Sequence, residues 1–267
     1  MKKLFTMIRR GNLEEVAAIL DKNPDLISCL AKAPPKKDDG QSPLMVAIKS
    51  DNLEVAHLLL DRGADVNFAD AINPYGNNFG APIWYDAIVQ CFMRAGHTVG
   101  PGPERSRGYF LLLRRLLDMG MDPNPKTSHG LTAWQHALEQ YDQFARKSYP
   151  SYYVEESKAE NRQLREMLKA VLDELLKHGA DIHDFRPPNK EGLSHVSVIL
   201  RNMEEGRELL DGMRGLDPDS DMFKPHTETY RGKERLVQPY YTVEDYRQQY
   251  EIKWRELEPI LRDYYKK

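Results

Sequence analysis

One five-residue pattern occurs three times in the sequence. The copies are GADVN at 63–67, GMDPN at 120–124 and GADIH at 179–183, and each follows a leucine-rich run. A leucine-rich run that stops at Gly is typical of an α-helix C-terminus, because glycine readily adopts the left-handed conformation that closes a helix. The Asp and Asn that follow are turn residues. The sequence therefore predicts an internal repeat whose units each end with a helix and a turn.

Signals for a second helix precede each leucine-rich run. The segments that carry them are DGQSPLMVAI (39–48), FGAPIWYDAI (79–88), HGLTAWQHAL (129–138) and EGLSHVSVIL (191–200). Ser42, Thr132 and Ser194 are suited to cap helix N-termini, and Pro43 and Pro82 suit the first helical position. Each repeat is therefore predicted to contain a turn, a short first helix, a loop and a longer second helix.

The repeat resembles the ankyrin repeat. Ser42, Pro43, Leu44 and Ala47 stand where the family has Thr-Pro-Leu-His-x-Ala, and Met45 takes the place of the His. The run LLLDRGADVN then matches the end of the family's second helix and the turn that follows it. The resemblance implies an all-α ankyrin-repeat solenoid of about five helix-turn-helix repeats with short turn fingers. It also implies a protein-binding function.

This reading divides the chain into an array and a tail. The array covers 1–217, with repeats near 2–35, 39–71, 72–127, 128–187 and 188–217. The tail, 218–267, contains an extended segment and a C-terminal amphipathic helix. That helix either caps the last repeat or binds a partner in trans, and the sequence leaves both possibilities open.

Repeats three and four are longer than an ankyrin repeat. The glycines that open the three motifs lie 57 and 59 residues apart, whereas the family period is about 33 residues. The extra residues fall in a finger at 68–80, a loop at 94–108 and a loop at 141–163. Longer loops add little closure entropy, so these insertions are compatible with the fold.

Aromatic residues are concentrated in and beside these insertions. Tyr and Trp bury much area at little entropic cost and are enriched at binding hot spots. We therefore expect the insertions and the concave face to bind the partner, helped by a small basic cluster; the alternative is that the aromatics pack the insertions onto the scaffold. The candidate partner-binding residues are Tyr75, Asn77, Phe79, Trp84, Tyr85, Arg105, Arg107, Tyr149, Tyr152 and Tyr153.

Composition argues against several classes of protein. The net charge is −3 at pH 7. The sequence also lacks the stripe of basic residues that is typical of nucleic-acid binding. The sequence has no run of about 18 uncharged apolar residues that could span a membrane. The two cysteines, Cys29 and Cys91, are typical of a reducing compartment. We expect a cytoplasmic monomer with a protein partner of unknown identity, and no contact with nucleic acid or membrane.

No sequence motif indicates catalysis. The eight histidines do not form the His-Glu-x-x-His pattern of zinc proteases. There is also no Gly-x-Ser-x-Gly nucleophile turn and no Gly-x-x-x-x-Gly-Lys phosphate loop. We expect no catalytic residue, no cofactor and no metal. Two alternatives remain: an immunity or inhibitor-type protein that neutralises a toxic enzyme, and an enzyme or regulator with a site in the insertions or tail.

Overall fold

The structure is a computed structural model. It describes residues 1–71, 79–95, 102–147, 155–183, 185–213, 224, 226–230, 233–237 and 258–265. The chain forms two compact regions: the first comprises 1–144 and 163–186, and the second comprises 145–162 and 187–267. The fifth predicted repeat therefore belongs to the same compact region as the tail.

Helices account for most of the described residues, as the ankyrin resemblance implies. Successive pairs form the first four repeats: α1 (Lys2–Arg9) with α2 (Leu13–Lys22), α3 (Pro43–Lys49) with α4 (Leu53–Asp61), α5 (Trp84–Ala95) with α6 (Gly102–Asp118), and α7 (Ala133–Lys147) with α8 (Glu155–Lys177). Two 3-10 turns, Pro24–Ser28 and Lys36–Asp38, connect the first two pairs. The predicted all-α repeat fold is confirmed.

The helices begin at the predicted capping residues and end at the predicted glycines. The hydroxyl groups of Ser42, Thr132 and Ser194 accept the backbone N–H three residues later at 3.3, 3.4 and 3.2 Å. These bonds satisfy N–H groups that the first helical turn leaves without a partner. The glycine that opens each five-residue motif has φ between 81° and 90°, so each second helix ends as predicted.

The five-residue motif also connects consecutive repeats. The Asn67 side chain donates to the backbone oxygen of Gly120 at 3.1 Å and accepts the N–H of Asp122 at 2.8 Å. Asn124 makes the same two bonds to the third copy, at 3.0 and 2.7 Å. The third copy ends in His183. The backbone N–H and the ring of this residue form hydrogen bonds within the same motif. The recurring Asn is thus a structural connection between turns.

Pairs of an acidic and a basic side chain form a second connection, between the second helices of consecutive repeats. In each pair, an Asp near the C-terminus of one second helix faces a basic side chain or imidazole of the next repeat. The pairs are Asp21–Arg62, Asp61–Arg115 and Asp118–His178. Exposed pairs of this kind contribute little to stability, and we interpret them as aligning neighbouring repeats.

The core lies between the helices of each repeat and between neighbouring repeats. Its largest fully buried side chains include Leu4, Ile8, Leu44, Ile48, Leu59, Trp84, Tyr109, Trp134 and Tyr141. Cys91 is also fully buried and packs as a small apolar residue of the core.

The second compact region differs from the sequence expectation in two respects. The fifth repeat was expected to be a helix pair, but α9 (His195–Met213) is one continuous helix. Met203, Glu204 and Glu205 favour helix, and an interior Gly such as Gly206 costs only about 1 kcal/mol. No strong turn signal therefore interrupts this helix.

The second difference is in the tail, where the sequence predicted an extended segment and the structure contains a small sheet. β1 (His226–Tyr230) and β2 (Lys233–Val237) form an antiparallel two-stranded sheet, with His226 opposite Val237. The last helix, α10 (Glu258–Tyr265), contacts α9 within the same region. Its Leu261 is fully buried.

Candidate functional site

The finger of repeat three is held at its base by backbone and side-chain hydrogen bonds. The Asp70 carboxylate accepts the N–H of Ala81 at 2.6 Å, and the Asp70 N–H donates to the Ala81 carbonyl at 3.1 Å. The N–H of Ser128, in the next finger, donates to the Phe79 carbonyl at 2.8 Å. These bonds fix Phe79 beside the start of α5 and join two neighbouring fingers.

Three rings from repeats three and four form a partly exposed surface, here called the aromatic patch (Phe79, Tyr85 and His129). The Phe79 and Tyr85 ring centroids are 5.0 Å apart in an edge-on arrangement, and His129 lies 6.1 Å from Phe79. Phe79 and Tyr85 are partly buried, whereas His129 is exposed. The patch therefore combines fixed geometry with accessible aromatic area.

A buried histidine packs against the aromatic patch. The ring of His136 stacks on Tyr85 with centroids 4.2 Å apart. Burial lowers the pKa of His136 to about 3, so the ring is neutral at physiological pH. Neither ring nitrogen has a hydrogen-bond partner among the described residues. The sequence analysis assigned no role to this residue, although its position on the first helix of repeat four places it next to the finger.

Trp84 is not part of the surface, which corrects the sequence prediction. It has no exposed area and therefore cannot bury further area against a partner. Successive residues of a helix point about 100° apart, so neighbours such as Trp84 and Tyr85 face different directions. Trp84, Ile88 and Cys91 recur at steps of four and three and are all fully buried. This spacing was a signal that Trp84 belongs to the core.

Carboxylates lie close to the aromatic patch. Asp86 occupies the position in α5 that Val46 and His136 occupy in repeats two and four. Burial raises the pKa of Asp86 to about 6; the charge of Lys49 opposes this rise and that of Asp70 adds to it. No hydrogen bond or ion pair to the Asp86 carboxylate occurs among the described residues. The sequence analysis missed this residue.

Asp70 and Gln41 are two further buried polar residues. Asp70 is buried, and burial raises its pKa while hydrogen bonds from the Ala81 N–H and the Gln41 side chain oppose the rise. Gln41 is only 3% exposed. Its Oε1 has no hydrogen-bond partner in the described part of the chain. Gln41 bonds to Asp70, whose charge acts on Asp86; these three residues are here called the acceptor cluster.

The predicted basic residues lie on a second helix. The structure begins α6 at Gly102, so Arg105 and Arg107 are helical and not in a loop as expected. Arg105 Nη1 donates to the Asp51 backbone oxygen at 3.3 Å and lies 3.8 Å from the Glu54 carboxylate. Arg105 thus joins repeats two and three. Arg107 is exposed.

The remaining predicted contact residues lie outside the described residues. They are Tyr75, Asn77, Tyr149, Tyr152 and Tyr153. The structure thus brings together two of the ten candidates, Phe79 and Tyr85, on one accessible surface.

Comparison with known families gives an independent assignment. Residues 3–70 match the family described as Ankyrin repeats (3 copies). The chain contains ankyrin repeats. No curated protein matches it. Ankyrin repeats are protein–protein interaction modules, in which stacked repeats create an extended binding surface, and they imply a protein partner.

The matched segment covers α1 to α4. The helix caps and the Asn connections continue the same local geometry through repeats three and four. Within the described ranges, no helix is long and apolar enough to cross a membrane. The described residues also contain no group of three or more His, Cys, Asp or Glu that could hold a metal ion.

Proposed function

We propose that this ankyrin repeat protein is a non-enzymatic binding protein that holds one protein partner against the aromatic patch and the first helices of repeats three and four. The observation that supports this function most directly is the arrangement of Phe79 and Tyr85. Both rings are partly exposed, yet packing and hydrogen bonds fix their positions.

Fixed aromatic side chains make efficient binding anchors. A partner that docks on them does not have to order a mobile side chain, which would cost roughly 0.5–1.5 kcal/mol for each flexible group. Tyr85 stacks on His136, and the backbone of Phe79 is hydrogen-bonded to the next finger. The surface is therefore organised before the partner arrives.

The test is affinity capture from the native cell lysate followed by mass spectrometry, with matched variants. The Phe79→Ala/Tyr85→Ala double variant removes both anchors. Leu111→Ala is the control, since Leu111 is 55% exposed on the second helix α6. We expect the parent and the control to capture the same protein and the double variant to lose it at least tenfold. Circular dichroism would establish that all three proteins are folded.

Equal capture by the double variant would contradict a binding role for the aromatic patch. The absence of any specific protein partner for the parent would contradict the binding function itself. A partner lost by Leu111→Ala and retained by the double variant would place the interface on the second helices.

A further inference from the structure

We infer that a pocket in repeat one, here called the repeat-one pocket, binds a peptide that inserts an apolar side chain flanked by acidic residues. The pocket lies between the face of α1 that carries Lys2, Phe5 and Arg9 and the loop at 31–34, and its volume is about 250 Å³. It shares no residue with the aromatic patch, so this inference goes beyond the proposed function. Three features support it: an apolar interior, a fixed wall and an excess of positive charge.

The first feature is the apolar interior of the pocket. Phe5 and Ala31 line it and are only 3% and 4% exposed. Ala33 and Pro34 also line it and are exposed, so the apolar surface continues to the solvent. An apolar cavity of about 150 Å³ is large enough to hold benzene. The repeat-one pocket therefore has room for a side chain of the size of phenylalanine.

The second feature is a wall that hydrogen bonds hold in place. The Ala31 N–H donates to the Gln41 carbonyl, and the Gly40 N–H donates to the Ala31 carbonyl, both at 2.9 Å. The Ala33 N–H donates to the Asp39 carboxylate at 2.9 Å. A ligand that enters a pocket of fixed shape does not have to order a loop, which would cost binding free energy. The wall at 31–34 is therefore suited to bind without rearrangement.

The third feature is the charge of the pocket. Lys2 and Lys32 line it and are exposed, and neither forms an ion pair among the described residues. Arg9 also lines it, but the buried carboxylate of Asp38 pairs with this side chain at 2.8 Å. Residues 1–40 contain eight Lys or Arg and six Asp or Glu, so this segment carries +2 whereas the whole chain carries −3. The two lysines are thus available to the carboxylates of a ligand.

These features together specify the occupant. Burial of an apolar ring in the interior supplies most of the affinity, because the removal of apolar area from water is the main favourable contribution to association. Acidic residues on both sides of the ring complement Lys2 and Lys32, which belong to the two elements that form the pocket. Ion pairs between exposed groups are individually weak, so the lysines select among apolar peptides and do not hold the ligand alone.

The test titrates the whole chain with three tripeptides, each acetylated and amidated at its ends. The probe is Glu-Phe-Glu. The control Gln-Phe-Gln removes the charges, and the control Glu-Gly-Glu removes the ring. Backbone amide signals are followed by NMR. With the probe we expect saturable shifts around Phe5, Ala31 and Ala33, and we expect at least threefold weaker binding of Gln-Phe-Gln and at least tenfold weaker binding of Glu-Gly-Glu.

Matched substitutions of lysine make the test specific. Lys2→Gln/Lys32→Gln should weaken binding of the probe at least threefold and leave the affinity for Gln-Phe-Gln unchanged. Lys169→Gln/Lys190→Gln removes the same charge from exposed positions elsewhere in the chain and should leave the affinity for both peptides unchanged. Unchanged binding of the probe by the first variant, or an equal loss in both variants, would refute recognition by Lys2 and Lys32.

The two control peptides distinguish the other possible occupants. Equal binding of the probe and Gln-Phe-Gln would show that the pocket accepts any apolar segment, and equal binding of the probe and Glu-Gly-Glu would show attraction by charge alone. Either result, or shifts confined to the aromatic patch, would overturn the inference.

The outcome is independent of the capture experiment. The Phe79→Ala/Tyr85→Ala variant should bind the probe with the affinity of the parent, since it leaves the repeat-one pocket intact. If this variant retains its captured partner and the probe binds as expected, the proposed interface fails and the inference stands. If the variant loses its partner and the probe does not bind the parent, the inference fails alone.

Discussion

Asp86 is expected to destabilise the fold, so its replacement by Asn should stabilise the protein at neutral pH. Asn has nearly the same shape and can be buried without a charge. Raising the pKa from its ordinary value of 3.8 to about 6 corresponds to about 3 kcal/mol, at about 1.4 kcal/mol per pH unit. Asp86 is partly exposed, and solvent screening reduces this figure. We expect a gain of about 1–2 kcal/mol in the free energy of unfolding.

The sign of the pH dependence follows from the direction of the shift. Between about pH 4 and 6 the folded protein retains a proton on Asp86 that the unfolded chain has already lost, so stability falls as pH rises through this window. The parent carries the full penalty above pH 6 and almost none below pH 4. The advantage of Asp86→Asn should therefore be greatest at pH 7.5 and should nearly disappear at pH 4.

The assay is urea unfolding of the parent and the variant at pH 7.5 and pH 4, followed by tryptophan fluorescence. Trp84 and Trp134 are fully buried and report on the first compact region. Asp173→Asn controls for the general effect of removing one negative charge. An equal advantage at both pH values, or a parent that is the more stable protein at pH 7.5, would refute the reasoning that Asp86 is a desolvated carboxylate.

Three further substitutions or reagents test the fold. Asn124→Ala should destabilise the protein by about 1–3 kcal/mol in urea unfolding, because it removes two hydrogen bonds, to the Gly179 oxygen and from the Asp181 N–H, that contribute about 0.5–1.5 kcal/mol each. Unchanged stability would contradict the structural role of the motif. Trp84→Ala should cost about 3–5 kcal/mol, since it opens a cavity in the core, and a small loss on thermal unfolding would show that the side chain is exposed. Burial raises the pKa of the Cys91 thiol well above its usual range and raises the pKa of Cys29 less. A disulfide reagent should therefore modify Cys29 first. Rapid modification of Cys91 in the native protein would contradict its burial.

Much of the fold could be predicted because its signals are local. A hydroxyl at the start of a helix and a Gly at its end act on backbone groups a few residues away. The structure accordingly confirms the predicted N-caps at Ser42 and Thr132 and the predicted helix end at Gly63. The fifth repeat was harder to predict, because no comparable local signal distinguishes one long helix from two short ones in 195–213.

The site was predicted less well because it depends on helical phase and on tertiary contacts. Amino-acid type alone suggested that Trp84 would contact a partner, whereas the phase of α5 directs it into the core. Asp86 was missed because the repeat alignment gives little signal there: the same position holds Val46 in repeat two and His136 in repeat four.

The acceptor cluster could not have been inferred from any single repeat. Gln41 and Asp70 belong to repeat two, Asp86 to repeat three, and the supporting ring of His136 to repeat four. The family match ends at residue 70, within the finger at 68–80. The regular repeats thus provide the scaffold, and the departures from the pattern provide the surface. If this separation holds, Asp86→Val, which introduces the residue that repeat two carries at this position, should increase the free energy of unfolding at neutral pH, and an unchanged or lower value would contradict it.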